Sequence, residues 1–161
     1  MRYSPFISIA CFCVIFCVTG FRPKKMKSIF NGKDLNGWDV YIGPLFDSIK
    51  NDFTGDPIGL NKDPYQVFTV VKEEGKPAIR VSGQNFGGLS TQQEFANYHL
   101  RLEFKWGKLK WSPKRNAKRD SGLLYHAVGT HAADWLFWMG SQEFQIHEGD
   151  CGAYWGCGGA I

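Results

Sequence analysis

Residues 98–106 read Tyr-His-Leu-Arg-Leu-Glu-Phe-Lys-Trp. Tyr98, Leu100, Leu102, Phe104 and Trp106 alternate with His99, Arg101, Glu103 and Lys105, the period-two pattern of a half-buried antiparallel strand. Outward from this stretch the same grammar repeats. Residues 67–71 and 78–81 are β-branched and aromatic runs on either side of Glu74-Gly75-Lys76-Pro77, a turn-forming tetrapeptide. Residues 122–127 and 143–147 are further strands, each bounded by glycine. Asn31-Gly32, Asn36-Gly37 and Gly87-Gly88 mark turns. No useful length of sequence has helical period and none repeats, so strands with short connections predict an all-β sandwich or barrel.

The N-terminus bears on compartment. The apolar run at residues 6–18 (FISIACFCVIFCV) is too short for a bilayer-spanning helix, which needs about 20 residues. Its length fits the h-region of a secretory signal peptide over residues 1–20, with Gly20 near the cleavage point and residues 21–27 as a linker. A buried N-terminal helix is the alternative, and lipidation at Cys17 a lesser one, because Phe16 before it is bulky. The expected location is therefore secreted, periplasmic or cell envelope, with no transmembrane span in the mature protein.

The remaining 141 residues suffice for one domain. Their net charge, +3 once Arg2 is removed, is too small to imply a polyanionic partner. Residues 105–119 nevertheless carry seven basic side chains around Trp106 and Trp111, a mixture that grips single-stranded nucleic acid in some proteins. Against that stands a solvated hairpin tip, which secretion and the low net charge favour, so no nucleic-acid partner is expected. Two cysteines, Cys151 and Cys157, lie outside the leader. An even pair in an oxidising compartment predicts a disulfide; a two-thiolate metal site is the alternative, and no CxxC spacing supports it.

Polar chemistry concentrates in three segments. The first is Arg119-Asp120-Ser121-Gly122, leading into Leu123, Leu124, Tyr125 and His126. In the second, residues 141–150, alternation puts Glu143, Gln145 and His147 on one strand face and Phe144 and Ile146 on the other. A carboxylate, an amide and an imidazole in a row suit proton transfer and hydroxyl binding. A solvent-facing strand with idle polar groups reads equally well from alternation alone. The third segment, residues 151–159, is a glycine-rich loop whose Tyr154 and Trp155 are either a sugar platform or loop packing.

Six stretches in order resemble the 3-keto-disaccharide hydrolase domain family. They are Ser28 to Trp38 (SIFNGKDLNGW), Phe68-Thr69-Val70 with Ile79-Arg80-Val81, Gly88-Leu89-Ser90-Thr91, residues 98–106, Asp120-Ser121-Gly122, and Glu143-Phe144-Gln145-Ile146. The resemblance spans residues 28–159 and implies a concanavalin-like or laminin-G-like jelly-roll β-sandwich over residues 28–161. Family domains run longer than this chain, so closing strands are expected beyond Ile161 and the domain is expected to be partial.

The resemblance also implies a reaction: 1,2-elimination of a glycoside already oxidised at C3, hydration of the resulting 2-hydroxy-glucal, or both. A C3 ketone acidifies the C2 proton, so a modest base suffices and the aglycone leaves from C1. The ordinary two-carboxylate hydrolysis is not required, and no nicotinamide fingerprint is present. The expected catalytic residues are Glu143, as base or as ligand of a divalent metal ion, and His147, as acid. Asp120, His126 and Gln145 are expected to bind substrate, with Trp138 or Trp155 stacking on the sugar. The substrate is an oxidised glycoside or disaccharide. A non-catalytic carbohydrate-binding module is the competing reading, since fold alone does not fix function.

Overall fold

The structure, a computed structural model, describes residues 26–159. The expected leader and residues 21–25 of the linker lie outside them. The described residues contain no helix, and so none long and apolar enough to cross a membrane. The fold is all-β, as expected. The ten strands of the described residues are β1 (Trp38–Ile42), β2 (Leu45–Asp47), β3 (Asp52–Thr54), β4 (Gly59–Leu60), β5 (Phe68–Glu73), β6 (Lys76–Val81), β7 (Gly87–Thr91), β8 (Asp120–Val128), β9 (Gly140–His147) and β10 (Asp150–Cys157). They form four antiparallel sheets, β4-β1-β7, β10-β9-β8, β2-β3 and β5-β6.

The main core belongs to the first half of the chain. Val40 and Ile42 project from β1 against Val67 and Phe68, with Leu35, Ile58 and Leu89 around them. Ile42 and Val67 are fully buried. Burying this corner strands backbone amides, and side chains satisfy them. Asp63 accepts from Val67 N and Phe68 N, both at 2.8 Å, and Asn61 Oδ1 accepts from Val40 N at 3.0 Å. The β5–β6 hairpin closes on Glu74 and Gly75, both with positive φ, the tight turn whose twist matches its strands.

Three sequence expectations are corrected. Residues 98–106 form no strand. Leu102 and Phe104 stand 52% and 51% exposed, and none of the ten strands pairs with this segment. Alternation specifies which side each residue takes once a strand is paired; it does not supply the partner, and an unpaired strand has no ladder to hold it. Gly87 and Gly88 are not a turn but the start of β7, where a Cβ at Gly87 would lie 3.2 Å from Ile42 Cα. The glycine there allows close packing on β1. Of residues 151–159, expected as loop, residues 151–157 lie in β10, because each strand of the β8–β9–β10 meander templates the next.

This meander positions the polar residues. At its open end Arg119 N and Nη1 donate to the two Glu148 carboxylate oxygens at 2.9 and 2.7 Å, and Glu148 N donates to Arg119 O at 2.9 Å. The start of β8 is thereby fixed against the end of β9. At the other end the β8–β9 connection carries Phe137 into a ring cluster with Phe53 and Phe86, at centroid distances of 4.8 and 5.4 Å, and Phe46 packs on Phe53. Tyr41 of β1 stacks on His131 of the same connection at 5.3 Å. These aromatic contacts tie the meander to the first-half core.

Candidate functional site

Directly opposed residues of an antiparallel pair share a face. In β8–β9–β10 the register opposes Asp120 and Asp150 to His147, Gly122 to Gln145, Leu124 and Trp155 to Glu143, and Cys157 to Ser141. One face therefore gathers Asp120, Glu143, Gln145, His147, Trp155 and Cys157. The other carries Leu123, Phe144, Ile146 and Tyr154.

Glu143 sits at the middle of the polar face and is half-buried. Its carboxyl leans over Gly122, where any Cβ would lie 2.5 Å from Cδ and 2.8 Å from Cγ. The Cys157 thiol donates to Oε2 at 3.6 Å. Burial pushes the Glu143 carboxyl up from its ordinary value; the thiol hydrogen bond opposes this, and the charges of Asp120 and Asp134 add to it. The same burial, with Glu143 beside it, pushes the Cys157 thiol up to about 11. That thiol is a hydrogen-bond donor at neutral pH and a poor nucleophile.

The neighbours extend the row. Gln145 Nε2 donates to Asp120 Oδ1 at 2.5 Å, and Lys114 Nζ lies 3.2 Å from Asp120 Oδ2. His147 stands between Asp120 and Asp150 in the register. Trp155 is 58% exposed directly across from Glu143, a flat apolar face beside an acid. Basic residues of the 105–119 loop are turned to structural pairs: Lys105 with Glu73 and Glu74, Lys110 and Arg119 with Glu148, and Lys114 with Asp120.

Three expected placements change. His126 follows a register shift after Tyr125, has φ 52°, and is exposed, with its ring edge-on to Tyr98 and Tyr125. The shift takes it out of the alternation that would have set it beside Glu143. Trp138 lies in the β8–β9 connection, bridged to Asp134 and packed on Phe137; Trp155 is the indole in register with the acid. Cys151 and Cys157 are free, one exposed and one buried. They occupy the two ends of β10, opposite Ile146 and Ser141, and a strand rises about 3.3 Å per residue, well beyond the reach of a disulfide.

Sequence reasoning missed Gly122 as the space for Glu143, Cys157 as its donor, and Asp134 as a neighbouring charge. Only the first left a signal, a glycine interrupting an otherwise good strand. Among the described residues no three His, Cys, Asp or Glu side chains converge as a metal set.

The sequence matches the model of the 3-keto-alpha-glucoside-1,2-lyase-like domain over residues 25–161. No curated protein and no solved structure matches the chain. The match covers most of the sequence, and the chain belongs to this family.

Proposed function

We propose that the protein is an exported carbohydrate-active enzyme that cleaves 3-keto-glycosides by 1,2-elimination, with hydration of the 2-hydroxy-glucal as a second step of the same site. The family supports a carbohydrate-active role of this kind. The observation that carries the reading is the pairing of a half-buried carboxyl, raised by its surroundings, with an exposed indole directly across the sheet. A raised carboxylate is a stronger base than an ordinary surface acid, and an indole face stacks on the apolar side of a sugar ring.

Glu143 takes the C2 proton. The C2–H electron pair forms the enolate with the C3 carbonyl. On collapse, C1–C2 becomes a double bond and the C1–O bond to the aglycone breaks. His147 gives its proton to the departing oxygen. Gln145 and Asp120 hold ring hydroxyls and Trp155 stacks on the ring. Hydration would add water across the new double bond, with the same two groups exchanging protons in reverse. A non-catalytic sugar-binding module needs the indole but no raised carboxyl, so Glu143 separates the two readings.

Purified protein incubated with a 3-keto-glucoside should release aglycone and a 2-hydroxy-glucal absorbing in the ultraviolet. Binding of the substrate without turnover at any pH would leave the binding module. Export belongs to the same proposal: N-terminal sequencing of protein from the envelope or medium should start near Phe21, and an intact Met1 on cytoplasmic protein would contradict it.

A further inference from the structure

We propose that Gly122 and Cys157 are positioning residues that seat the Glu143 carboxyl, the glycine by having no side chain and the thiol by donating to one carboxylate oxygen. The proposal rests on the reading of Glu143 as the base and deepens it.

Gly122 lies inside β8, where glycine weakens a strand and contributes no packing. It is not among the residues with positive φ, so conformational freedom does not account for it. Space does: Oε1, Cδ and Cγ of Glu143 all crowd the position a Cβ would take. Alanine there displaces the carboxyl or the strand.

On the other flank, Cys157 is buried at the end of β10 and directs its thiol to Oε2. The two oxygens thus have different assignments, one over β8 and one toward β10, which fixes rotation of the carboxyl about its last torsion. Asp120 on β8 and Asp134 in the β8–β9 connection are the charges that act on the seated group. A base held in one orientation avoids the reorganisation that a freely rotating carboxylate undergoes in the transition state.

The seat has a readout that needs no substrate. Seated Glu143 disfavours the Cys157 thiolate, so withdrawing or neutralising it speeds alkylation. Cys157 modification by iodoacetamide at pH 9, followed by peptide mass spectrometry, should accelerate about tenfold, the equivalent of one pKa unit, in Gly122→Ala and in Glu143→Gln. The double variant should be no faster than either single one, because both remove the same contact. Glu143→Asp, which shortens the arm without touching β8, should give a similar gain and serves if Gly122→Ala does not fold. A wild-type rate in Glu143→Asp and Glu143→Gln overturns the seat. Additive gains in the double variant overturn the glycine's part.

Catalysis supplies the second arm. Cys157→Ala removes the donor, so Glu143 ionises at higher pH and the acidic limb of the kcat profile moves up with KM unchanged; Cys157→Ser restores it. An unmoved limb in Cys157→Ala overturns the thiol's part. Full turnover by Glu143→Gln would instead remove Glu143 as the base, while the alkylation rates would still decide whether the seat exists.

Discussion

The β1 corner and the β8–β9–β10 meander spend their side chains differently. Around β1, Val40, Ile42, Val67 and Phe68 are buried together, and stray amides are satisfied by Asp63 and Asn61. In the meander the buried residues are a scattered set, Gly140, Ser141, Ile146 and Cys157, while Phe144, Tyr154 and Trp155 stand about half exposed. The first region invests in apolar contact and the second in register. Register alone brings an acid, an amide, an imidazole and an indole to one face. Stability and chemistry are thus expected to be separable by mutation.

The sharpest test of that separation is Glu143→Gln with His147→Ala. Each should cut turnover of a 3-keto-glucoside by about 10²- to 10⁴-fold, the usual cost of a lost proton-transfer group, with little change in urea midpoint. The mirror experiment is Ile42→Ala. Truncating a fully buried isoleucine should cost about 3 kcal/mol of unfolding free energy, read from denaturant curves. The kcat of the protein that remains folded should stay near wild type. A large kcat loss there would show the two regions to be one unit.

Smaller is Trp155→Ala, expected to raise KM roughly tenfold or less, the worth of about 1 kcal/mol of stacking, and to leave kcat within a few-fold. The smallest effect concerns pH. Glu143 binds its proton more tightly folded than unfolded, so its contribution to stability is fully present below the unfolded value and is lost as pH rises through the folded one. Glu143→Gln should therefore melt above wild type at neutral pH, with the gap closing in acid. An equal gap at both pH values would break the link between that carboxyl and burial.

The comparison also shows what a sequence encodes. Features set by local composition and period were legible: β5, β6, β8 and β9 coincide within a few residues with the runs read from β-branched and aromatic composition and from glycine boundaries, and Glu143, Gln145 and His147 lie on one face as period two demands. Features set by a distant partner were not. Residues 98–106 have the best alternation in the chain but no paired strand. Residues 150–157 have poor strand composition and are paired. His126 left the face through a register shift that no local pattern announces, and Cys151 and Cys157 were matched by number although a strand separates them.

The ring cluster of Phe46, Phe53, Phe86 and Phe137 has a consequence for the order of folding. Each step of the meander joins neighbours along the chain, so β8, β9 and β10 can pair through hairpins on the microsecond scale, about 1–10 μs each. Phe137 meets Phe53 across more than eighty intervening residues, and loop-closure entropy makes such a contact late. The polar face should accordingly assemble before it is docked. Phe137→Leu should chiefly speed unfolding and leave the folding limb of the chevron almost unchanged.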